Sequence, residues 1–160
     1  MKHMQHRAGW GLWRQLWRSQ DGVSAVEFAM IGGSLALLLL GVLDFGIGYW
    51  EKTQLQDAAQ AGAEFATRSG YDSTSIQSAV TNATSLSGVQ ATPAPSQFCG
   101  CPNISTGVSA ATCASTCPSD GTIAGTYVTV NAQVSYRTLF AWPGFSNPMT
   151  LASSVTVRIN

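Results

Sequence analysis

Residues 28–43 run for sixteen positions without a charge and include Leu37-Leu38-Leu39-Leu40. Asp44 interrupts this run, and apolar character resumes through Phe45, Ile47, Tyr49 and Trp50. A helix over residues 28–50 would be about 34 Å long at 1.5 Å per residue, enough to cross a bilayer. Lys2, Arg7, Arg14 and Arg18 make up half of the eight basic residues and all precede Asp21, whereas only Lys52 follows shortly after the run. Basic flanks stay on the cytoplasmic side. A single-pass protein with its N-terminus in the cytoplasm and its bulk exported is therefore expected.

Composition narrows the reading further. A chain of 160 residues supports one small domain. A net charge of zero argues against a nucleic-acid partner, which would need a basic patch. Only 10% of residues are charged, against roughly 25% in soluble domains. That deficit suits a membrane segment joined to a Ser/Thr/Ala-rich exported part.

The four cysteines, Cys99, Cys101, Cys113 and Cys117, all fall in the exported half. An even number clustered in an oxidising compartment reads as two disulfides, and three pairings are open. The competing reading is a four-thiolate zinc site. Cys113 and Cys117 have a zinc-type spacing, but Cys99 and Cys101 stand too close together. No metal is expected on this ground.

The expected organisation has four parts: a basic leader (1–22), a transmembrane helix (23–50), a helix extension (51–70) and an exported α+β domain (71–160). In the leader, Trp10, Trp13, Leu16 and Trp17 fall on one side of a helical wheel and the arginines on another. Either a headgroup-level helix or an unstructured tail fits that pattern. Past Trp50, Leu55, Ala58, Ala59, Gly62, Phe65 and Ala66 recur at three and four residues. Glu51, Lys52, Gln56, Gln60 and Glu64 occupy the other face. Such a narrow, Ala-rich stripe lets another helix or a small sheet approach closely, which makes Ala58, Gly62 and Phe65 candidate contacts. Ser69-Gly70 ends the helix.

A short helix is expected near residues 75–85, then a Pro93/Pro95 loop and a cysteine-stapled loop over 99–121. Val128, Val130, Ala132, Val134 and Tyr136 alternate with polar residues, and Leu151, Val155, Val157 and Ile159 repeat the pattern. Between them lies a loop carrying Phe140, Trp142, Pro143 and Phe145. The fold class is thus α+β: a long N-terminal transmembrane helix continuing into the exported space, a small antiparallel sheet packed on it, and a disulfide-stapled loop.

The junction ahead of the apolar run reads Gly22-Val23-Ser24-Ala25-Val26-Glu27-Phe28. A carboxylate so close to lipid is expensive and calls for a named partner. A cut after Gly22 would make Val23 an α-ammonium four residues from Glu27. Glu27 could then pair with the new amine of a neighbouring subunit and fix the axial register of packed helices.

This glycine-x4-glutamate-aromatic junction with its hydrophobic helix resembles the signal of type IV pilins and pseudopilins. More narrowly, residues 22–29, the Leu-rich run, Asp44-Phe45-Gly46 and the Ala-rich helix through Ala66 resemble the TadE-like proteins, minor pseudopilins of the tight-adherence (Flp pilus) system. The cysteine segment falls outside the resemblance. The resemblance implies cleavage between Gly22 and Val23 by a prepilin peptidase and a part for Glu27 and Phe28 in subunit assembly. As partners it implies other pilin or pseudopilin subunits and the inner-membrane assembly platform. It also implies a bacterial inner-membrane location with a periplasmic C-terminal domain, or incorporation in the pilus. The alternatives at the junction are a plain signal anchor and a secretory signal cut near residues 59–61.

Asp44 has two readings, a solvated interfacial carboxylate or a contact to a partner's basic residue. Enzyme chemistry finds no support. His3 and His6 are the only histidines and lie in the leader, and no phosphate loop, metal-binding His motif or Cys-x2-Cys pair is present. A non-enzyme without cofactor is expected. Its function is support of pilus assembly or secretion; the alternative is an unprocessed, membrane-anchored binding module presenting the disulfide loop or the Trp142/Phe145 loop.

Overall fold

The computed structural model describes residues 21–105, 107–140, 143, 144 and 146–159. The amphipathic-leader reading, His3 and His6, and the Trp142/Phe145 reading lie outside the described residues. The chain divides between Leu43 and Asp44 into a helical stretch and a compact folded unit.

One helix, α1 (Asp21–Ser69, 49 residues), accounts for the first part and continues into the second. Its run to Leu43 is apolar on every side, and its side chains are exposed or half-exposed. A helix without a polar face is not a surface helix of a water-soluble domain. Beyond Asp44 the pattern becomes one-sided: Leu55, Ala58, Ala59, Ala63 and Ala66 are buried, and Lys52, Gln56, Gln60 and Glu64 face solvent. Gly70 ends α1 at φ +81°, its N–H donating to Ala66 O at 3.0 Å. Only glycine adopts that left-handed cap without a Cβ penalty.

Helix α2 (Ser73–Asn82) follows at once, capped by Asp72, whose carboxylate accepts from Ser75 N at 3.1 Å. A hydrogen bond from the Ser75 side chain, and after it the one from the Ser75 backbone, hold the Asp72 carboxyl below the usual aspartate range. Ile76 and Val80, one turn apart, are the two α2 side chains that reach the core.

Four strands complete the unit: β1 (Ser96–Asn103), β2 (Gly107–Ala110), β3 (Gly125–Tyr136) and β4 (Met149–Arg158). They form one antiparallel sheet in the order β2-β1-β3-β4. Central β3 buries Val128, Val130, Ala132, Val134 and Tyr136, the alternating set expected from period two. The β4 register sets Val155 against Val130, Leu151 against Val134 and Met149 against Tyr136. The core lies between this sheet face and the Ala stripe of α1, with α2 closing one side.

Small residues on α1 determine how closely the layers approach. A Cβ on Gly62 would stand 2.5 Å from Val80 Cγ2 and 2.9 Å from Val130 Cγ1. Gly62 is where α1, α2 and β3 converge, and it leaves no room for a methyl group. Helix residues 55–66 and the sheet share this one core, so the expected segments 51–70 and 71–160 pack as a single unit.

The cysteine segment differs from expectation. It was expected as a stapled loop, yet it supplies the second half of β1 and all of β2, a hairpin paired Gly100 to Ala110 through Asn103 to Gly107. Few of its residues are large and apolar, so no hydrophobic alternation announces the strands. Backbone pairing and two covalent links hold them instead.

Candidate assembly and anchoring site

Residues 22–43 carry a single charge, Glu27. Val23, Val26, Phe28, Met30, Ile31 and Leu35 are each more than half exposed, as are most of the leucines that follow. A contiguous apolar surface of this length is unsuited to water, and the helix is long and apolar enough to cross a membrane. Glu27 is exposed on it and has no hydrogen-bond or ion-pair partner among the described residues. Gly22 and Val23 lie in the first turns of α1, with nothing within 4 Å of a Cβ built on Gly22. Phe28, directly after Glu27, is 78% exposed.

Asp44 is the opposite case. The sequence offers it a solvated position or a foreign basic partner; the structure buries it and gives it partners from its own chain. Its exposure is 3%, and its carboxylate accepts from the Tyr136 hydroxyl at 2.6 Å and from Leu139 N at 3.1 Å. The same hydroxyl also lies 2.9 Å from the Asp44 backbone carbonyl. Burial first, then the bond to Asp44 and the nearby carboxylate charges, pushes the Tyr136 phenol up to about 12. The phenol therefore remains a donor at every physiological pH. Gly48, one turn after Asp44, faces the Tyr136 ring, which a Cβ there would meet at 3.4 Å, an ordinary contact. The cluster ties the end of β3 and the start of its following loop to α1.

Tyr136 is the residue that sequence reasoning missed. Two partial signals existed: a Tyr at an inward strand position needs a partner for its hydroxyl, and an Asp amid apolar helix residues needs a donor. Nothing in the sequence sets these two residues, 92 positions apart, at the same level.

Ala58 and Gly62 are buried against the chain's own sheet and α2, and Phe65 packs at the edge of the same core. The candidate contact face on the helix extension is thus occupied from within the chain, because a stripe this narrow suits a sheet as well as a helix. The cysteines pair Cys99–Cys113 and Cys101–Cys117, with Cα separations of 5.1 and 5.5 Å. Cys99 and Cys101, two apart on β1, both reach into the segment after β2. No thiolates remain for the zinc alternative.

Residues 22–64 match the family model described as TadE-like protein. This segment is similar to TadE-like proteins. The TadE-like match starts at Gly22, the residue that precedes the expected cut. It takes in Glu27, Asp44, Ala58 and Gly62 and ends within the core-facing part of α1. Tyr136, the sheet and all four cysteines lie beyond it, so the partner of TadE-like Asp44 comes from outside the matched segment. No curated protein and no solved structure matches the chain.

Proposed function

We propose that the protein is a minor pseudopilin-like subunit supporting assembly of, or secretion by, a tight-adherence (Flp) pilus, cut between Gly22 and Val23 by a prepilin peptidase. The observation that carries the reading is Glu27: a carboxylate with no partner among the described residues, on an exposed apolar helix inside a segment matched as TadE-like. A charge at bilayer depth costs about 2.5–3.5 kcal/mol on insertion scales, and more by other measures. Retaining it makes sense if a second charge arrives to meet it.

The cut supplies that charge. Hydrolysis of the Gly22–Val23 peptide bond frees the Val23 amine, which is largely protonated near neutral pH. The Val23 ammonium of one subunit then donates to the Glu27 carboxylate of its neighbour. Two charges that are each costly near lipid become one pair, and the helices gain a fixed axial register. Other pilin or pseudopilin subunits and the inner-membrane assembly platform are the partners in this reading.

Four basic residues ahead of the run support a cytoplasmic N-terminus, and two disulfides support a periplasmic folded unit. The role is structural rather than catalytic. Replacing Glu27 by Ala in cells that assemble the pilus should abolish or sharply reduce surface pili while the protein still accumulates in the membrane. Normal piliation with Glu27→Ala would remove the basis of this reading and leave an anchored binding module.

A further inference from the structure

The sheet has two edges, and they differ. At one, β2 is four residues long, and the chain after it is linked back to β1 by two disulfides. At the other, β4 runs for ten residues with no proline and no charge before Arg158. Shortness, prolines and charges within the strand are the usual protections of an edge. β4 itself has none of them.

The direction of its backbone groups follows from β3. Gln133 pairs its N–H and C=O with Gln90, on the side away from β4. Gln133 and its register partner Ala152 therefore share no backbone bonds, and Ala152 turns its own N–H and C=O outward. By alternation Thr150, Ser154 and Thr156 do the same. Lys52 of α1 donates to Ala152 O at this rim. The other outward groups of these four residues have no backbone partner among the described residues. Leu151, Val155 and Val157 pack on the core yet stay half-exposed, since no described strand lies beyond β4. Beside the start of β4 the same gap is an open groove of about 390 Å³, lined by Phe45, Gly48 and Tyr49 of α1 and by Met149 and Leu151.

We propose that β4 is a docking edge for an extended strand of a different polypeptide, one whose alternate side chains are apolar. Its backbone pairs with Thr150, Ala152, Ser154 and Thr156, and its apolar side chains enter the groove beside Met149 and Leu151. A helix or an acyl chain could fill the groove alone. Only an extended backbone also offers donors and acceptors at every second residue of β4. Geometry opposes a second copy giving its own β4. Asp44 holds Tyr136, the register partner of Met149, so it marks the level at which β4 starts. Antiparallel β4 strands centred on Ser154 would set the two Asp44 levels about 30 Å apart. Asp44 directly follows the apolar run in each copy, and copies anchored in one bilayer need it at one depth. The pairing edge rests on the folded unit alone; the anchoring part of the proposed function enters only in setting the second copy aside.

The test is hydrogen exchange, read residue by residue, on the full-length protein in phosphatidylcholine vesicles. The probe is a synthetic peptide that alternates valine and threonine over the length of β4 and is closed by lysines at both ends. In the free protein, the amides of Leu151, Ser153, Val155 and Val157 should be protected and those of Thr150, Ala152, Ser154 and Thr156 should exchange freely. Adding the peptide should slow the second set by about tenfold, the scale of one net hydrogen bond. The same peptide with methylated amide nitrogens keeps its side chains, loses its donors and should give no protection. Ser154→Pro removes an outward N–H while sparing the bonds to β3, and it should abolish the slowing at Ala152 and Thr156 while the first set stays protected. Ala152→Lys, a charge on the edge, should weaken the peptide without touching the core. No slowing with the peptide, or equal slowing with its methylated form, would overturn the docking edge. Protection of the outward set without peptide that rises with protein concentration would make a second copy the occupant and overturn the foreign strand. Flotation of the protein with the vesicles reports anchoring separately, so its failure is distinguishable from either result.

Discussion

Glu27 and Asp44 lie on one helix, seventeen residues apart, yet they belong to regions with opposite needs. Around Glu27 the helix is exposed and apolar, and no described group meets its carboxylate. Around Asp44 the chain has folded over the carboxylate and supplied a phenol and a backbone N–H. No buried side-chain nitrogen or oxygen among the described residues lacks a hydrogen-bond partner. The folded unit thus completes its own buried polar contacts, while among the described residues nothing completes the one charge of the stretch before it. The first state is finished structure; the second is the one the proposed assembly role would complete with a partner from a neighbouring subunit.

The largest effects on the finished half should come from its covalent links. The disulfides close loops with sequence separations of 14 and 16, for which chain-entropy arguments give about 3 kcal/mol each. Replacing all four cysteines by Ser should therefore lower the denaturation midpoint of the folded unit most of all, as read by near-ultraviolet circular dichroism. Gly62→Leu comes next. Its side chain would collide with Val80 and Val130, and overpacking of this kind costs about 1–3 kcal/mol or more. A variant as stable as the parent would show that the three elements do not converge as described.

Tyr136→Phe should follow, at about 1.5–3 kcal/mol, because it removes a hydrogen bond to a buried carboxylate. It also carries a pH signature. The folded-state phenol titrates near 12, above its ordinary value of 10, so its contribution is whole below pH 10 and is lost as the pH rises through about 12. The parent should lose stability across that window, and Tyr136→Phe should show less of that loss. An identical alkaline limb in both would break the assignment of Asp44 to Tyr136. Smallest of all should be Glu27→Gln, within about 0.5 kcal/mol of the parent in the thermal unfolding of the folded unit. A substantial loss there would mean that Glu27 has an internal partner after all and that the contrast fails.

Much of this architecture was legible in the residues because it rests on local periodicity. The uncharged run, the Ala-rich stripe, the Gly70 stop and the alternation in β3 and β4 each announce themselves within a few turns or strand residues. The β1–β2 hairpin did not, because Cys99, Gly100 and Cys101 give no apolar alternation, and its strands depend on pairing and on disulfides formed across 14 and 16 positions. Spacing allowed three cysteine pairings, and only the register of β1 against the returning segment selects one. The Asp44–Tyr136 contact was illegible for a related reason: each residue shows a need, but only the packing of β3 along α1 brings the two needs together. At the junction, by contrast, the sequence supplies the chemistry in view, since none of the described residues folds onto Glu27.

The most direct measurement is the N-terminal residue of the protein recovered from cells with a working prepilin peptidase, by sequencing and intact mass. A chain starting at Val23 is the predicted result, since only then does the amine that meets Glu27 exist. Recovery of a chain that still begins at Met1 or Lys2 would contradict the account.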